Sequence, residues 1–194
     1  MKTNPGIKAL AIIALIALLI PISINWFTFL AHFLSDDNDT PVNPLEYKIL
    51  TDSTAAVRKC RLSEIENICI PEKVLINGNE YTVTHIGNKA FSYCRKLTDV
   101  KIPASITEIE YSAFSGCSSL TDINLPSNIT CINAFTFCEC TNLKSIVIPA
   151  SVTIIWYKAF AGCNNLDVVI DNSKYNVKIE MDAFKGCKSV RYND

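Results

Sequence analysis

Histidine is nearly missing from this chain: 194 residues hold two, His32 and His85. Neither stands in a serine or cysteine pattern of known catalytic layout, so triad-type hydrolysis and histidine-based zinc chemistry lose their usual residue. Glycine is also scarce, with six residues and no glycine-rich phosphate loop. No paired-carboxylate signature appears. These absences point to a protein that is not an enzyme and needs no cofactor or metal. Charge of one sign is lacking too. Setting aside Lys2 and Lys8 leaves 16 of the 18 basic residues against 19 acidic ones from Asp36 onward, a net of −3. A nucleic-acid surface wants a basic face, so no nucleic-acid partner is expected.

What the chain does have is repetition. Between Ile86 and Val190 a 23-residue pattern is written four times, with a fifth partial copy. Phenylalanine recurs at Phe91, Phe114, Phe137 and Phe160, and cysteine at Cys94, Cys117, Cys140 and Cys163. Leucine recurs at Leu97, Leu120, Leu143 and Leu166, and isoleucine at Ile86, Ile109, Ile132 and Ile155. The last copy is offset by 24 and carries Ile179, Ala183, Phe184, Cys187 and Val190. A fixed period of this length means a solenoid, because one coil cannot bury its apolar side alone and must stack on the next.

The period also shapes the coil. In Leu97-x-x-Val100-x-Ile102 the spacing of two puts Val100 and Ile102 on one face of a strand. Coils running the same way give a parallel sheet. Pro103, Pro126 and Pro149 follow, at strand ends where no backbone N–H is needed. In Ala-Phe-x-x-Cys the three-residue spacing predicts one turn of helix. Asp171 and Asn172 fall where the pattern has Ile-Pro.

These residues resemble the BspA-like leucine-rich repeats, whose unit reads roughly L-x-x-L-x-L-P-x-x-L-x-x-I-G-x-x-A-F-x-x-C-x-x. Ile86-Gly87 and Ala90-Phe91 fit that unit; Glu110, Asn133 and Trp156 replace the glycine in later copies, and Thr136 replaces the alanine. The fold class is thus a β-rich solenoid with short parallel strands and one-turn helices. The resemblance implies a surface-exposed binding or adhesion module.

Ahead of the repeats come three segments. Residues 1–35 contain the uncharged run from Ala9 to Leu34, long enough as a helix for the ~30 Å hydrocarbon layer. Lys2 and Lys8 precede it and Asp36, Asp37 and Asp39 follow, which orients the repeats outward. It reads as a membrane anchor through residues 9–34 or as a cleaved signal peptide; the product is membrane-anchored in the first case and secreted in the second. Residues 36–44 form a polar linker. Residues 45–85 show strand runs, including Val74–Ile76 and Tyr81–Val83 around Asn77-Gly78, a hairpin turn. They read as an N-terminal β cap on the solenoid of residues 86–194.

Five cysteines (Cys94, Cys117, Cys140, Cys163, Cys187) belong to the repeat as a buried thiol ladder. Cys60 and Cys69 are the candidate disulfide. Cys131, Cys138 and Cys140 lack a histidine partner, and Cys140 is a repeat position, so zinc is disfavoured. The residues between the inward ones form the candidate partner-binding face: Asp99 and Lys101, Asp122 and Asn124, Ser145 and Val147, Val168 and Ile170. This series runs from charged to apolar. Its expected occupant is a protein or glycan. A structural role, with the C-terminal edge self-associating, is the alternative. Residues 174–178 are the expected protruding loop.

Overall fold

The computed structural model describes residues 43–172, 174 and 176–193. The apolar run 9–34 and linker residues 36–42 lie outside the described residues. The described chain opens with β1 (Leu45–Ile49) antiparallel to β2 (Thr54–Cys60), then β3 (Asn67–Cys69), β4 (Lys73–Ile76) and β5 (Asn79–Ile86). β4 and β5 form the expected hairpin, with Asn77 at φ 53° and Gly78 at φ 83°. Two positive φ values in the loop match the twist of the flanking strands. β5 is the joint of the molecule. It is antiparallel to β4, parallel to β2, and its last residues pair with β7 (Glu108–Ile109) of the next coil.

The repeats build two parallel walls. One holds β5 with β7, and then a separate ladder of β9 (Cys131–Ile132), β11 (Ile154–Ile155) and β13 (Lys178–Ile179). The other holds β6 (Asp99–Lys101) paired with β8 (Asp122–Ile123), and then a separate ladder of β10 (Ser145–Ile148), β12 (Asp167–Ile170) and β14 (Ser189–Tyr192). The second wall starts earlier than the Phe-Cys pattern does: β3, from the N-terminal segment, pairs with β6 in parallel register.

Between the walls lies the core. Phe91, Phe114, Phe137 and Phe160 are fully buried, as are the Leu97 and Ile86 series. Successive phenylalanine rings stack at centroid distances of 5.1, 5.5, 5.2 and 5.5 Å, ending on Phe184, with planes within 11° of parallel. The thiols form their column and do a further job. Cys117, Cys140, Cys163 and Cys187 donate to the carbonyls of Phe91, Phe114, Phe137 and Phe160 at 3.0–3.4 Å. Each of these carbonyls also accepts the backbone N–H of the cysteine three residues on, so the thiol is a second, weak donor to an oxygen that is already bonded.

Three expectations need correction. The Ala-Phe-x-x-Cys segment is not helical, and no helix occurs among the described residues. It is a run of tight turns with two positive-φ residues per coil, such as Lys89 and Tyr93 or Ser112 and Gly116. Ala90, Ser92 and Cys94 donate three residues back, whereas Lys89, Phe91 and Tyr93 donate to Tyr111, Ala113 and Ser115 of the next coil at 2.8–3.1 Å. A helix would keep every N–H to itself; here alternate N–H groups join the coils.

The second correction is register. Ile146 pairs with Val168 and Ile148 with Ile170, a step of 22 instead of 23. Val168 and Ile170 therefore face the core and are fully buried. A step of 23 would have turned Asp171 inward and buried an unpaired carboxylate. The shifted register leaves Asp171 exposed. The deficit is recovered afterwards, since seven positions separate Ile148 from Ile155 but nine separate Ile170 from its counterpart Ile179. By the same register Val190 pairs with Val168 on a strand and does not continue the leucine column.

Third, Cys60 and Cys69 are both free, as are all nine cysteines. Cys60 is buried at the end of β2, and Cys69 is exposed on β3.

One glycine is explained by close approach. A Cβ on Gly87 would sit 2.8 Å from the Val57 carbonyl oxygen, which already accepts the Gly87 N–H at 2.8 Å. Later copies have coils there instead of β2 and take Glu110, Asn133 and Trp156.

The ring column makes a prediction. Phe114→Ala or Phe137→Ala should cost about 3–5 kcal/mol in denaturant unfolding of the chain. A loss under ~1 kcal/mol would mean the rings are not packed as described.

Candidate binding face

The outer side of the β3–β14 wall is built by alternation. With Ile68, Val100, Ile123, Ile146 and Val168 turned in, their neighbours must turn out. One outer row runs Asn67, Asp99 and Asp122, then Ser145, Asp167 and Ser189. The next holds Cys69 and Lys101, Asn124, and Val147, Val169 and Arg191. Of the sequence-predicted residues, Asp99, Lys101, Asp122, Asn124, Ser145 and Val147 lie on this side. Val168 and Ile170 do not; Asp167 and Val169 take their places. The trend toward an apolar C-terminal end is absent. What exists is one apolar pair, Val147 at 56% exposure beside half-buried Val169, with Arg191 next in the row.

Asp167 is fastened in place. Lys188 Nζ and Ser189 Oγ each donate to its carboxylate at 2.6 Å. These hydrogen bonds, Lys188 first, hold its carboxyl below the usual range. The arrangement gives a polar frame of both signs: acidic at Asp99 and Asp122, cationic at Lys101, Lys188 and Arg191. It offers hydrogen bonds and a small apolar contact. Among the described residues no three His, Cys, Asp or Glu side chains converge on a metal-sized point.

A second surface escaped the sequence reading. A groove of about 890 Å³ crosses the tight turns and is lined in part by Tyr93, Gly116, Phe135, Glu139, Lys158 and Gly162. At the repeated positive-φ position large and small residues alternate. Tyr93 lies over Gly116, where a Cβ would come within 2.6 Å of its ring, and Glu139 lies over Gly162 at 3.3 Å. Beside it Tyr111, Phe135 and Tyr157 form an outer aromatic ladder, with centroids 5.6 and 5.4 Å apart. Lys158 Nζ sits 5.0 Å over the Tyr157 ring. The signal was present as Tyr, Gly, Glu and Gly at 93, 116, 139 and 162, but it concerns outward positions that the core pattern ignores.

The family described as BspA type leucine-rich repeat region matches residues 62–191 in six copies. The chain belongs to that family. The match begins before β3, in keeping with the early start of that wall. Three solved structures resemble it. A leucine-rich repeat protein from Bacteroides ovatus is 33% identical with a TM-score of 0.67, over 77% of this chain and 40% of that one. The T. pallidum leucine-rich repeat protein is 29% identical with a TM-score of 0.67, over 79% of this chain and 71% of that one. A leucine-rich repeat protein from Bacteroides capillosus is 37% identical with a TM-score of 0.60, over 67% and 96%. The chain thus spans about two fifths of the B. ovatus protein. None of the curated proteins matches it. BspA-type repeats are in general interaction modules and not catalysts.

Proposed function

We propose that this chain is a non-catalytic, surface-displayed interaction module that holds a protein or glycan partner against the outer side of its β3–β14 wall. The observation that carries the reading is Val147. It is 56% exposed in a regular strand, next to Val169, with polar residues around it. A small apolar centre inside a polar rim is the anatomy of a recognition patch. The partner's contacts then come from Asp99, Lys101, Asp122, Asn124, Ser145, Val147, Val169 and Arg191. Display rests on the uncharged run 9–34 with lysines before it and aspartates after it, acting as an uncleaved anchor or a cleaved signal.

A second reading has its own observation. On the last coil Ile179, Met181 and Val190 are exposed at 37%, 71% and 39%. Exposed apolar groups at the end of a stack favour association of that end with another copy or with a partner.

Val147→Asp with Val169→Asp should leave the fold intact while abolishing capture of ligands found by screening a panel of surface proteins and glycans. Val168→Asp, by contrast, should unfold the chain, because it buries a charge. Retained capture by a folded double variant would remove the face from consideration. Light scattering separates the second reading: concentration-dependent growth of the particle supports end association, and a monomer at high concentration contradicts it. Mass spectrometry of the mature N-terminus decides the display route. An intact run 9–34 means an anchor, a start after it means secretion, and recovery of the chain only from cytoplasm defeats both.

A further inference from the structure

We propose that the groove across the tight turns binds an oligosaccharide that ends in one carboxylated sugar, with the acid at Arg95 and the neutral sugars laid along the coils. The groove shares no residue with the outer rows of the β3–β14 wall and does not rest on the reading of that wall.

Its side chains stand where the backbone does not favour them. Tyr93 and Glu139 occupy the second positive-φ position of their coils, at φ 61° and 63°. Gly116, Gly162 and Gly186 hold that position in the other coils. Phe135 and Lys158 also line the groove and sit at the first such position, at φ 58° and 52°. A side chain is strained in this region, and a bulky one most of all. The core takes nothing in return, since Tyr93 is 64% exposed and Glu139 is exposed. Glycine serves the same turn in three coils. Tyrosine and glutamate in the other two are therefore there for what they present outward.

What they present suits a sugar. The open Tyr93 ring has an electron-rich face that attracts the C–H groups of a pyranose. The Glu139 carboxylate, the Ser118 hydroxyl and the Asn164 amide line the groove and make no side-chain hydrogen bond among the described residues. Between them they can both donate and accept, which is what sugar hydroxyls need. The floor is glycine, so there is no apolar socket for the anchor residue of a protein partner. The volume of about 890 Å³ is in the range of small-ligand sites.

Charge sets the place of the acid. Three cations line the groove. Lys185 lies 3.7 Å from Asp182, and Lys158 sits over the Tyr157 ring. Arg95 is in no ion pair among the described residues, and its guanidinium carbon is 5.8 Å from the centroid of the Tyr93 ring. A planar guanidinium holds a carboxylate through two parallel hydrogen bonds. Glu139 lies two coils further on, ~10 Å at ~4.8 Å per strand. One acid at Arg95 is clear of it. A chain charged on every sugar would bring a second carboxylate onto Glu139.

The test is calorimetric titration of the full chain with sialyl-capped lactose, glucuronyl-capped lactose, plain lactose, trigalacturonate and triglutamate. At least one capped sugar should bind saturably, about tenfold tighter than lactose and than trigalacturonate, and the one that does names the acid. Triglutamate should not compete. Arg95→Gln should remove the preference for the cap. Tyr93→Gly should weaken binding about tenfold yet melt no lower than the unaltered chain, because glycine suits φ 61°. Val147→Asp with Val169→Asp should bind the capped sugar as the unaltered chain does. The sugar series needs no variant, so a misfolded one leaves the answer intact. No saturable binding of either capped sugar, equal affinity for lactose, trigalacturonate or triglutamate, undiminished preference in Arg95→Gln, or loss of binding in the wall variant would overturn the proposal.

Discussion

Equivalent side chains must meet their counterparts one coil away, and the phenylalanine column is where this constraint is tightest. Strands in a parallel wall lie ~4.8 Å apart, and near-parallel rings cannot approach much closer than their own thickness. The observed 5.1–5.5 Å satisfies both limits at once. The same corner carries the backbone bonds Phe91 to Ala113, Phe114 to Thr136, Phe137 to Ala159 and Phe160 to Ala183. Ring stack and backbone ladder therefore fix the same distance. A substitution that shortens a ring loosens the corner that holds two coils together. Each coil touches only its neighbours, so such damage stays local in place but adds along the stack.

That constraint is why so much of the fold was legible. Buried positions admit few residue types, so the Ile, Phe, Cys and Leu columns announce themselves as a period. What failed was information the period does not carry. The spacing of Phe91 and Cys94 suits a helical turn and a tight-turn series equally well, because both bring every third residue to one side. Only the hydrogen-bond direction separates them, and that depends on the next coil. The fourth-coil register failed for a related reason. Leu166, Val168, Val169 and Ile170 are all apolar, so alternation was ambiguous there. Asp171 was the informative residue: the frame that spares a carboxylate from burial is the frame adopted.

The candidate face was legible in outline only. Outward positions follow from inward ones, and six of the eight named residues keep their place. The other two moved with the register, and with them went the supposed apolar end. The groove along the turns was missed because its order lies in the alternation of large and small residues, such as Tyr93 over Gly116. That is a contact between outward positions of adjacent coils. No residue there is needed by the core, so nothing in the core pattern draws attention to it.

Requirements of the fold can be separated from what is left over, and Thr136 and Val147 mark the division. Thr136 occupies an alanine position at 0% exposure, and its hydroxyl is absorbed by the Asn133 carbonyl at 2.7 Å. Inside the wall, then, an irregular residue is accepted only with a local partner. Val147 obeys no such demand. Ile146 and Ile148 already supply the inward side of β10, and both are buried. Strand preference is one account of a valine there, since β-branched residues suit a pleated sheet. Yet Lys101, Asn124 and Arg191 stand at equivalent positions, and asparagine and lysine are poor strand formers. Preference therefore does not govern this row, and the core does not govern it either. The character of Val147 and Val169 is free to be set by what touches them from outside.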